Sequence, residues 1–171
     1  MGKKEEQTRH PVTPGLFGIK VRFRGVFDLL DYYRWVYYWL DDQGYVPDEM
    51  TLEKKYIERR KPPIKNYEIE WQAEKKISNY FTYKIKLLFL IVAVKPTKIQ
   101  VEGEEVEAEK GDAHLWVNAH VETPKWEDMG LFHGLYARFI AYRRLRREKV
   151  NLYKDVYMFQ DDAKRYLGIN Q

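Results

Sequence analysis

Few side chains in this sequence are suited to chemistry, and their spacing limits what they can do. There are four histidines, His10, His114, His120 and His133, and no cysteine. Without cysteine there are no disulfides, thiolate ligands or thiol nucleophiles. His114 and His120 stand six apart on an expected strand, about 20 Å at ~3.3 Å per residue. They cannot share a metal unless a third element folds between them, which argues against zinc, and no cofactor is implied. His133 flanks an apolar helix stripe near Gly130 and Tyr136. Beside a carboxylate it could move a proton, but a solvated flank is the plainer reading. Glu68, Glu70 and Glu74 share one strand face, where a solvated surface again explains more than paired acid–base catalysis. The sequence contains no phosphate loop, nucleophile elbow or HExxH pattern. No catalytic residue is assigned, and an enzyme ranks third among the readings.

The other concentration of chemistry is basic: Arg143, Arg144, Arg146, Arg147 and Lys149, opposed locally by Glu148 alone. On a helix, Arg143, Arg146 and Arg147 can share a face, enough to meet a phosphate backbone or an acidic partner. The simpler alternatives are pairing with the acidic stretch Glu102 to Glu109, or solubility. No readable motif joins stacking aromatics to a basic track as single-strand binders do, so nucleic acid ranks low as a partner.

Composition sets the frame. At 171 residues, 44% of them hydrophobic, the chain suits one packed domain. The 16% aromatic content, rich in Tyr, fits a core first and a cavity lining second. Charged residues at 33% with few Met hint at heat adaptation, and a net charge of +4 is too modest to argue by itself for nucleic acid. The N-terminal residues carry charges of both signs and no secretory apolar core. Glu6 stands where myristoylation requires Ser or Thr. The apolar run ending at Val94 is too short to span a bilayer. A soluble, cytoplasmic protein is expected.

The elements that must position these residues follow from periodicity. Residues 1–15 read as a loose tail before a single domain, 16–171. Leu16 to Arg24 alternates as a strand. Phe27 to Gln43 reads as a helix with a stripe of Leu29, Leu30, Tyr33, Val36, Tyr37 and Leu40, closed by Gly44. Trp35 and Trp39 form a neighbouring stripe, more simply clamped by protein than by a ligand. Strands follow at Met50 to Arg59, before an extended break at Pro62-Pro63, and at Tyr67 to Glu74. Tyr80 to Val94 reads as the central strand, ending at Lys95-Pro96. Its apolar half, Leu87 to Val94, should be covered on both faces. A hairpin about Gly103-Glu104 should place Val101 opposite Val106. A turn at Lys110-Gly111-Asp112 leads to a last strand, His114 to Val121. Thr123-Pro124 reads as the start of a long helix, with a buried stripe of Phe132, Leu135, Tyr136, Phe139 and Ile140. Its basic last turns near Lys149 suit a helix C-terminus. Tyr153 to Leu167 reads as an added helix. The expected class is α+β: a curved antiparallel sheet of six to seven strands packed on a long C-terminal helix.

In order of elements, Leu16 to Lys149 resembles the helix-grip fold of the START and Bet v 1-like (SRPBCC) superfamily. That resemblance implies a cavity between the long helix and the concave face of the sheet, where members hold lipids, sterols or other apolar molecules. The expected function is then non-catalytic binding of an apolar or amphipathic small molecule. The lining would be Trp71, Phe81, Tyr83, Ile85, Leu87, Phe89, Phe132, His133, Leu135, Tyr136 and Phe139. The alternative is an interaction module with a filled core that meets an acidic partner or nucleic acid through Arg143, Arg146 and Arg147. What covers the far face of the central strand stays open between a helix and a second copy of the chain. In the latter case Leu88, Leu90 and Val92 form the interface.

Overall fold

A computed structural model describes residues 7–47, 52–101, 104–125 and 141–169. The described chain is α+β: a curved, unclosed sheet of six antiparallel strands and two helices, the C-terminal one packed on the sheet. The strands are β1 (Gln7–Pro11), β2 (Ile19–Phe27), β3 (Glu53–Lys61), β4 (Ile64–Lys76), β5 (Thr82–Val101) and β6 (Glu104–Pro124). The helices are α1 (Leu29–Asp42) and α2 (Tyr142–Tyr166). In the sheet, β6 lies beside β5, then β4, then β3, while β1 and β2 both pair with the other edge of β6.

Alternation in β4 and β5 builds the core. Tyr67, Ile69, Trp71 and Ala73 of β4 are buried, as are Tyr83, Ile85, Leu87, Phe89 and Ile91 of β5. On the opposite face the carboxylates of β4 meet lysines: Glu70 pairs with Lys86 at 2.8 Å, Glu74 with Lys84, and Glu68 with Lys55. The glutamate row of β4 is thus an ion-paired outer surface.

Both helices lie on the inner face. Asp28 caps α1 by accepting the Asp31 amide at 2.9 Å, and Gly44, with φ +73°, closes the helix. Its buried residues are Tyr32, Val36, Trp39 and Leu40. The expected stripe is rotated: Leu30 is 56% exposed and Tyr37 is also exposed, because α2 covers the tryptophan side. Trp35 stacks on Tyr166 with centroids 5.0 Å apart, and Trp39 meets Phe159 edge-on at 4.9 Å. The two tryptophans are therefore clamped by protein.

Several boundaries differ from expectation, each for a physical reason. Gln7 to Pro11 is a strand because it pairs with His120–Pro124; consequently Thr123-Pro124 ends β6 rather than starting a helix. Pro62-Pro63 occupies the tight connection between paired Lys61 and Ile64. Strand β5 continues through Lys95-Pro96 by means of a bulge between Val92 and Lys95. There Ala93 has φ 56°, and its amide donates to Asn66 Oδ1 at 2.8 Å. The extra residue re-phases the strand so that Ile91 and Val94 are both buried. Gly111 faces the bulge, where an added Cβ would come within 3.1 Å of Val94. Lys110-Gly111-Asp112 therefore passes the irregularity as strand, not turn. Ile99 pairs with Val106 and Val101 with Glu104, so Val106 does not face Val101. Helix α2 runs unbroken through the expected gap between Lys149 and Tyr153, since no Gly or Pro interrupts it before Gly168.

The far face of the central strand is covered only in part. Leu88, Leu90 and Val92 are half-buried, and no described helix lies over them. A shallow cleft of about 350 Å³ there is lined by Phe17, Glu68, Leu88, Leu90 and Trp116. The loop carrying Phe17 is fixed by Asn118, which donates to the Leu16 carbonyl at 2.9 Å.

Candidate functional site

The expected pocket residues divide in two. Trp71, Phe81, Tyr83, Ile85, Leu87 and Phe89 are all buried in the core, and none lines the surface clefts described below. Phe132, His133, Leu135, Tyr136, Phe139 and Ile140 lie outside the described residues. Tyr83 donates to Glu148 at 2.6 Å and Trp71 donates to the Tyr33 hydroxyl at 3.2 Å, so two of the six carry polar links within the core.

The histidines are dispersed. His114 is 2.8 Å from Asp112, which also binds Arg22 at 2.6 Å, and His114 stacks on Trp116. His120 is 3.2 Å from Glu122. No cluster of three potential metal ligands occurs among the described residues. The basic residues sit in the first turns of α2, not the last turns of a helix. Arg144 and Arg147 approach the buried Glu148 at 3.6 and 3.5 Å. Arg143 and Arg146 have no ion-pair partner among the described residues. Two carboxylates of the acidic stretch, one of the alternatives for these arginines, pair with lysines instead: Glu105 with Lys98 at 2.9 Å and Glu109 with Lys65 at 3.4 Å.

A cleft that sequence reasoning missed lies where the N-terminal turn of α1 meets the sheet. It encloses about 520 Å³ and is lined by Asp28, Leu29, Leu30, Tyr33, Glu53, Tyr56, Tyr67, Ile69 and Glu109. Three tyrosine rings and three aliphatic side chains make its walls, and three carboxylates lie among them. The carboxylates are not equivalent. Asp28 is engaged by the helix amide, and Glu109 by Lys65. Glu53, half-buried, accepts a short hydrogen bond from Tyr33 and has no cationic partner among the described residues.

The phenols around it hold their protons. Burial, then the hydrogen bond to Glu53, pushes Tyr33 far above its ordinary value, the Trp71 donor only partly opposing. Tyr67 is pushed up to about 12 by burial and then by Glu58 and Glu109. Tyr56 shifts the same way, from burial first and then Glu58 and Glu53. At neutral pH the cleft presents neutral donors and aromatic faces beside one carboxylate that no cation among the described residues compensates. That chemistry accepts a cation with an apolar body. Local periodicity carried no sign of it, because Tyr33 and Glu53 lie 20 residues apart on different elements.

No helix among the described residues is long and apolar enough to cross a membrane. Compared with known proteins, the chain matches no family, no curated protein and no solved structure.

Proposed function

We propose that this protein is a non-catalytic binding protein for an amphipathic small molecule, held in the tyrosine cleft between α1 and the sheet. One observation carries the reading: a half-buried carboxylate, Glu53, has no counter-charge among the described residues in a cleft walled by Tyr33, Tyr56 and Tyr67. An organic amine with an apolar or aromatic body meets both requirements, its charge at Glu53 and its body on the rings. A volume of about 520 Å³ is in the range of small-molecule sites, ~300–1,000 Å³. The site differs from the space between sheet and long helix that the helix-grip resemblance implies. That relationship is supported by the antiparallel sheet bearing a C-terminal helix, and it remains part of the proposal.

Thermal-shift and native mass-spectrometric screening of the full chain against matched amines, alcohols and carboxylates tests the reading. Amines should bind in preference to acids of the same body, and Glu53→Gln should weaken the amine at least tenfold while leaving the fold intact. Equal binding of the three classes, or indifference to Glu53→Gln, overturns it.

A further inference from the structure

A second cleft, of about 480 Å³, lies between β1 and the first turns of α2. Leu145 and Val150 contribute apolar surface to its helical wall, which also carries a polar and aromatic row. Tyr142, Arg146, Lys149 and Tyr153 follow at intervals of four, three and four, which an α-helix stacks on one face. A tyrosine stands at each end with two cations between them, over about 16 Å at ~1.5 Å per residue. The facing wall includes His10 of β1.

Charge in this cleft is of one sign. No carboxylate lines it among the described residues. Arg146 and Lys149 have no ion-pair partner there, in contrast to Arg144 and Arg147. His10, hydrogen-bonded to Thr123 at 3.1 Å, is held below its ordinary proton affinity by burial and then by the charge of Lys149. The rings are available: Tyr142 is 72% and Tyr153 45% exposed. Tyr153 is backed by Tyr157 at 4.2 Å between centroids, a two-ring platform. Cations alone would suit any anion, but the rings decide among them. An unpaired strand offers both phosphates and flat base faces. A duplex hides those faces, and an acidic polypeptide lacks them.

We propose that this cleft binds a segment of single-stranded nucleic acid, its backbone along Arg146 and Lys149 and its bases on Tyr142 and Tyr153. These contacts use phosphates and base faces, which RNA and DNA strands share.

The experiment is fluorescence anisotropy on the full chain with labelled oligouridylate and oligothymidylate across a salt series. At least one strand should bind, and the ratio of the two reports any use of the 2′-hydroxyl. A duplex of the same length should bind at least tenfold more weakly. Tyr142→Ala and Tyr153→Ala should each weaken the strand by roughly tenfold, as loss of one stacked base does. The double variant Arg146→Ala/Lys149→Ala should flatten the slope of log affinity against log salt by about 1.4, at ~0.7 per phosphate contact. Thermal unfolding of each variant separates lost binding from lost fold. The proposal is overturned if neither strand binds at about 50 mM salt, or if duplex binds as well as single strand. Unchanged binding in both tyrosine variants, or equal competition by polyglutamate, overturns it too.

Discussion

On the buried side of α2, Glu148, Asp155 and Asp162 recur every seven residues, and each accepts a hydrogen bond from an aromatic donor. Tyr83 reaches Glu148 at 2.6 Å, Tyr45 reaches Asp155 at 2.7 Å, and the Trp39 indole reaches Asp162 at 3.0 Å. On the exposed side, Tyr142, Arg146, Lys149 and Tyr153 recur with the same helical period, and the cations meet nothing of opposite charge among the described residues. Both rows bring charged groups together with aromatic ones, and neither is distinguished by period. They differ in what the rest of the fold sets opposite. The acidic row locks α2 to β5, to the segment after α1 and to α1 itself. The basic row meets no such lock among the described residues.

The contrast breaks most readily at Glu148. Glu148→Ala removes the acceptor of the buried Tyr83 hydroxyl and the carboxylate beside Arg144 and Arg147, and should cost about 3 kcal/mol in equilibrium denaturation. Tyr83→Phe keeps the ring and loses only the donor, so about 1.5–2 kcal/mol is expected. If Glu148→Ala costs less than about 0.5 kcal/mol, the acidic row is no lock and the two sides of α2 are alike. Tyr45→Phe is expected to cost about 1.5 kcal/mol, since Tyr45 is fully buried and Asp155 is its acceptor. Asp155→Asn, which retains an acceptor, should recover most of that loss relative to Asp155→Ala.

Periodicity shows which residues share a face but not which face meets a partner, and this marks how far the sequence could be read. The alternation of Tyr67, Ile69, Trp71 and Ala73 against Glu68, Glu70, Gln72 and Glu74 was legible, as were the first helix and its glycine stop. So was the antiparallel α+β class. The bulge was not: Ala93 in a left-handed conformation is held by Asn66, 27 residues away. Nor was the course of β6 past Gly111, because that glycine answers a kink in the neighbouring strand. Both clefts depend on such distant pairings. Tyr33 with Glu53 joins a helix to a strand, and His10 with Lys149 joins two elements from opposite ends of the described chain.

Acid sharpens the same comparison with smaller effects. Burial works to raise the Glu148 carboxyl, but hydrogen bonds from Tyr83 and Asn151 and the charge of Arg147 outweigh it, leaving it below its ordinary value. A carboxyl lowered in the native state adds stability that is complete above its unfolded pKa, near 4.5. That stability is lost as pH falls through the native value. Glu148→Gln should flatten this acid limb in urea titrations. His10 acts earlier. Burial and Lys149 lower its native proton affinity, so its neutral form is the one the fold accommodates. Its contribution is complete above its ordinary pKa of 6.5 and declines as pH falls below it. His10→Gln should remove that decline and leave the Glu148 limb untouched. Lys149→Ala should shrink it without abolishing it, because burial is the larger cause. A decline unchanged by Lys149→Ala would mean that the basic row exerts no field on its cleft, and the difference between the two sides of α2 would then rest on the acidic row alone.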